Sequence, residues 1–131
     1  MLKLIHSWTG IIFFTLFLDS GMYMKLNFPE IYGTQSLIRM MYRANHIYLL
    51  MASLINLITG IYYHAFSSKL DNLVQKSGWV FLVISPFTLF LAFIVEPARM
   101  TFERTFTFIG VLFLLLGILG HFIGNLLGKK A

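Results

Sequence analysis

A chain of 131 residues with 58% apolar and only 11% charged side chains has too little charge to coat a water-facing surface, because soluble domains carry about 25% charged residues. One small domain surrounded by lipid follows. The ten Lys and Arg, which leave a net charge of +5, are scattered through short loops and chain ends, so membrane lipids are the expected partner and nucleic acid is excluded. The absence of cysteine excludes disulfides, thiolate metal sites, thiol nucleophiles and Cys-ligated clusters.

Four apolar segments follow in chain order, each read as a membrane-spanning helix of about 20 residues. The first covers about residues 4–24. It runs too long for a signal-peptide core and lacks a small-residue cleavage site, so it is expected to remain as a span. The second covers about 40–64 and carries Arg43, Asn45, His46, Asn56 and His64 within an otherwise apolar run. The third, about 79–95, is short, and Gly78 and Glu96 extend it at the interfaces. The fourth covers about 106–127. Connections are short except Lys25–Arg39, which suits an interfacial turn. Short connections make neighbours antiparallel, so the predicted fold class is all-α: one transmembrane domain over 1–131, an up-down-up-down four-helix bundle.

The two faces of such a bundle carry equal positive charge. Lys3, Lys69, Lys76, Lys129 and Lys130 fall on the face with both termini; Lys25, Arg39, Arg43, Arg99 and Arg104 fall on the other. Partial embedding of Arg39 and Arg43 tips the expectation towards cytoplasmic termini in a bacterial inner membrane.

Projected at 100° per residue, each helix gathers small and polar residues on one face. The stripes are His6, Gly10, Phe13, Phe17, Ser20 and Gly21; Tyr42, His46, Leu49, Ser53, Asn56, Gly60 and His64; Gly78, Ser85, Leu89, Ala92 and Glu96; and Gly110, Leu114, Gly117, His121, Gly124, Asn125 and Gly128. In lipid such stripes face one another, while the large apolar side chains face outward. The small-xxx-small spacing of Gly120, Gly124 and Gly128 reads first as helix packing. Ser85-Pro86 is expected to free a backbone carbonyl that a neighbouring helix satisfies.

Two polar clusters result. On the face opposite the termini lie Arg39, Arg43, Asn45, His46, Glu96 and Arg99, with Asp19 as a further member. A charge inside the bilayer is costly unless paired, so Glu96 is expected to pair with Arg43 or to accept a proton from His46. The cluster reads either as a structural ion-pair lock or as a ligand or proton site. On the terminal face lie His6, His64 and His121. Two imidazoles on facing helices suit the axial positions of one haem iron; the alternative is three hydrogen-bonded structural histidines. No H-E-x-x-H, phosphate-cradling loop or Ser-His-Asp spacing is present, and five acidic residues are too few for a hard-cation cage.

Three resemblances bear on these readings. The stretch LIHSWTGIIFFTLFLDSGMYM, with an early His, a Trp and Gly just after it and Ser-Gly near its far end, resembles the first helix of PepSY-type and bacterial cytochrome b membrane proteins. That resemblance implies His6 as a haem ligand. Arg43-Ala44 resembles the opening of the second helix in membrane-associated eicosanoid and glutathione metabolism proteins, although Asn45 falls too early and the following Glu is absent. Arg43-Ala44-Asn45-His46-Ile47-Tyr48, Glu96-Pro97 and Gly117–His121 together resemble a group of small, uncharacterised four-span bacterial membrane proteins, which brings no activity with it.

Three functions are consistent with the sequence. One is a single b-type haem redox or electron-transfer protein using two of His6, His64 and His121. Another is a small oligomeric proton-coupled transporter working through Arg43, His46 and Glu96, with Asp19 in addition. The third is a non-catalytic accessory or lipid-binding subunit, assembled as a homo-oligomer or within a larger membrane complex.

Overall fold

The computed structural model describes residues 1–29, 36–62, 69–99 and 103–128. They form four helices: α1 (Leu2–Asn27), α2 (Ser36–Tyr62), α3 (Lys69–Arg99) and α4 (Thr105–Gly128). At 1.5 Å per residue they run roughly 36–47 Å, longer than the ~30 Å hydrocarbon core. All four are apolar enough to cross a membrane, with mean hydropathy of 1.3, 1.4, 2.3 and 2.4 in chain order. The chain is an integral membrane, all-α four-helix bundle. His64, and residues 30–35 of the first connection, lie outside the described residues.

Contacts between successive helices run in opposite senses. Ser7 meets Gly60, Gly10 meets Leu57 and Gly21 meets His46 across α1 and α2. Asn56 bonds Leu82 and Asn45 bonds Glu96 across α2 and α3. Gly78 meets Gly117 and Gly120 while Gly110 meets Leu89 across α3 and α4. The inner pair is α2 and α3, flanked by α1 and α4. Among the described residues no Cα of α1 comes within 8 Å of one of α4; the two outer helices meet through side chains, His6 against His121.

The small-residue stripes lie where the helices meet. Ala52, Leu82, Leu89 and Leu114 form the central apolar cluster, and Phe28, Ile38, Tyr42 and Phe93 a second one towards the α1–α2 connection. Large side chains such as Trp8, Phe108 and Phe122 point outward, the distribution expected when lipid is the solvent. Gly78 and Gly120 allow the backbones of α3 and α4 to approach closely: a Cβ on Gly120 would lie 2.8 Å from the Gly78 Cα. The α4 glycines at 110, 117 and 120 are thus taken up by contact with α3.

One boundary differs clearly from the sequence reading. α3 begins at Lys69, ten residues before Trp79. The polar run that suggests a loop stays helical because it continues the α3–α4 contact: Gln75 is buried, and a Cβ on Gly120 would lie 3.3 Å from the Val74 carbonyl.

Candidate functional site

The polarity of the membrane interior resolves into three places. The first lies near the chain termini, where side chains of α1, α3 and α4 meet. His6 is fully buried, and its Nδ1 lies 2.8 Å from Asn56 Oδ1. Neighbouring carbonyls fix the roles in this bond. Asn56 Nδ2 donates to Ala52 O and to Leu82 O, each at 2.9 Å, so Oδ1 must be the atom facing His6. His6 therefore donates from Nδ1–H, and its Nε2 carries a bare lone pair. Among the described residues Nε2 has no hydrogen-bond partner, and neither does the buried Trp79 Nε1. The Trp79 ring stands edge-on to His6 with centroids 6.4 Å apart. His121 of α4 completes the group, its ring centroid 5.8 Å from that of His6 at 68°. Three helices thus bring ring nitrogens to one buried spot, and α2 orients one of the rings.

The second place lies where α3 turns into α4. Glu96 is 1% exposed, and Asn45 and Thr107 beside it are also buried. Glu96 Oε1 accepts the Thr107 backbone N–H at 2.8 Å. Its Oε2 accepts the Thr107 hydroxyl at 2.5 Å and Asn45 Nδ2 at 3.4 Å, with Arg104 Nε 3.6 Å away. Arg104 Nη2 donates to Asn45 Oδ1 and to Thr107 Oγ at 3.2 Å. Thr107 lies in the first turn of α4, where backbone N–H groups lack helical partners. Glu96 satisfies one of them and places its charge at the favourable end of the helix dipole. A carboxylate engaged this fully fastens α2, α3 and α4 together.

The members expected around Glu96 are distributed differently. Its cation is Arg104, not Arg43, and His46 does not reach it. Arg104 lies one turn before Thr107, so the short α3–α4 connection delivers it to the carboxylate. Arg43 is exposed on α2, its guanidinium 5.9 Å from the Phe28 ring, with Arg39 at 5.3 Å from the same ring. Arg99 lies over Phe106 at 5.9 Å. His46 turns to α1, stacking on Phe17 with centroids 4.1 Å apart. Its Nδ1 lies 2.8 Å from Ser20 Oγ; because that hydroxyl donates to Phe17 O at 2.7 Å, the histidine is the donor. Arg104, Thr107 and Trp79 are the members that sequence reasoning missed. The signal for the first two was Arg-x-x-Thr at the start of a helix with no acidic residue in its first turn.

The third place is a cavity of about 340 Å³ between α1, α2 and α3. Asp19 and Ser20 line it together with Tyr23, Tyr42, Phe90 and Phe93. Asp19 makes no hydrogen bond or ion pair with any described residue.

Among the described residues no three His, Asp or Glu side chains cluster as a metal site would require. Searches of protein families, curated proteins and solved structures find no match to this chain.

Proposed function

We propose that the chain is a membrane-embedded b-type haem protein whose iron would be held by His6 and His121. One observation carries this reading: the His6 and His121 rings meet edge to face at 5.8 Å between centroids, from two helices whose backbones stay more than 8 Å apart. Two imidazoles sharing one metal ion at bonds of about 2.0–2.1 Å have ring centres roughly 5–6.5 Å apart. The bare Nε2 of His6 fits such a role, since a metal-ligating histidine typically gives its other N–H to an oxygen that fixes the tautomer, here Asn56 Oδ1. When bound, haem supplies one-electron redox chemistry. Asn56 orients His6, and Trp79 closes the side of the site next to α3. His64 lies outside the described residues and remains the other ligand proposed from sequence.

The Glu96–Arg104 network favours a structural lock over a transport site, because every carboxylate oxygen is already engaged inside the bundle. We place the protein in a bacterial inner membrane with cytoplasmic termini.

Titration of detergent-solubilised protein with haemin tests the reading. Saturation at one haem per chain with a low-spin, two-histidine electron paramagnetic resonance signature supports it. A high-spin signature in the wild type, or uptake unaffected by His6→Ala, contradicts it.

A further inference from the structure

Asp19 has no part in the haem reading. It lies within the α1 span, about 12 Å along the axis from the helix end at Asn27 and roughly 7 Å from the helix midpoint. An ionisable side chain at that depth is costly unless it has a partner or a task. Asp19 has no partner among the described residues.

It lines the 340 Å³ cavity between α1, α2 and α3, whose size falls in the range of small-molecule sites. The rest of the wall is largely aromatic. Tyr42 and Phe93 pack with centroids 5.0 Å apart, Tyr23 and Tyr42 at 5.7 Å, and Tyr23 and Phe93 at 6.2 Å; Phe90 continues the wall along α3. Aromatic faces attract cations through the ring quadrupole and also bury apolar surface. One carboxylate among several aromatic rings is therefore the recognition chemistry of a positively charged, largely apolar molecule.

We infer that this cavity binds a lipophilic organic cation, with Asp19 as counter-ion and Tyr23, Tyr42, Phe90 and Phe93 as the apolar and cation–π wall. The occupant is a freely diffusing molecule and not the ammonium head of a bilayer lipid. By helix rise Asp19 sits roughly 7 Å from the α1 midpoint, well inside a ~30 Å hydrocarbon core centred there and below the headgroups.

Equilibrium dialysis of the full-length protein in detergent against tetraphenylphosphonium tests the inference, with triphenylphosphine oxide as a neutral aromatic comparison. The expected result is one saturable site for the cation, weakened about tenfold or more by Asp19→Asn, restored by Asp19→Glu, and absent for the neutral compound. Asp19→Asn is expected to elute like the wild type and to melt no lower, because no described group depends on the carboxylate. Should that variant fail to fold, Phe90→Leu serves in its place and is expected to weaken cation binding. No saturable binding, unchanged affinity in Asp19→Asn or in Phe90→Leu, or equal binding of the neutral compound overturns the inference. None of these outcomes bears on haem binding at His6 and His121.

Discussion

Asn56 of α2 donates its amide to the Leu82 carbonyl of α3 at 2.9 Å, the carbonyl that Pro86, four residues on, leaves without a helical N–H. A proline inside a helix removes the i→i−4 bond, and in lipid a freed carbonyl has no water to turn to. The same side chain holds His6 through Oδ1. One mid-membrane asparagine thus repairs α3, ties it to α2 and orients a histidine of α1. Asn56→Ala is expected to lower stability by about 1–3 kcal/mol, read as a thermal melt in detergent. In a Pro86→Ala background, which returns an N–H to Leu82, the loss should shrink by about 0.5–1.5 kcal/mol, the range of hydrogen bonds between membrane helices. Equal losses in both backgrounds would contradict the pairing.

The Glu96–Arg104 pair makes a second prediction. Glu96→Gln is expected to cost about 3 kcal/mol, the low end for a broken buried pair, because the Arg104 side chain keeps 28% exposure and hence some hydration. The double variant Glu96→Gln with Arg104→Gln should lose less than the sum of the two single losses. Additive losses would show that the two charges do not act as a pair. By the same logic Arg43→Gln, which changes an exposed cation, should leave the melting point close to that of the wild type.

Glycine substitutions should differ according to what a new Cβ meets. At Gly120 it meets the Gly78 Cα at 2.8 Å, a backbone atom that moves only if α3 and α4 part. At Gly21 it meets only the His46 ring, at 3.2 Å. Gly120→Ala is therefore expected to destabilise by about 1–3 kcal/mol, as overpacking does, and Gly21→Ala by much less. Comparable melting points for the two would contradict the account of α4 seated directly on α3.

Much of this architecture is legible in the sequence because the bilayer imposes simple rules. Four apolar runs of spanning length give the four helices, and the inward stripes follow from 3.6-residue periodicity. Leu49, Ser53 and Asn56 in α2, and Ser85, Leu89, Ala92 and Glu96 in α3, are all buried. The start of α3 was not legible, because residues 69–78 are polar and are held helical by contact with α4. Nor was the partner of Glu96. Periodicity gives direction around a helix but not the path of the chain between helices, and the α3–α4 connection is what brings Arg104 and Thr107 to Glu96. His6 and His121 share a face of the bundle by sequence, but their 5.8 Å separation depends on how α1 and α4 are set against α2 and α3, which no local pattern encodes. Asp19 falls at the opposite angle from His6 on α1, and the cavity it lines is built by three helices together.

The most direct test of the central claim is an absorption spectrum, oxidised and reduced, of protein gently purified from membranes of cells supplied with haem. The account predicts a Soret band at one haem per chain that is lost in His6→Ala and in His121→Ala and kept in His46→Ala, whose imidazole is engaged by Ser20 and Phe17. A featureless spectrum, or a band that survives removal of both His6 and His121, would contradict it.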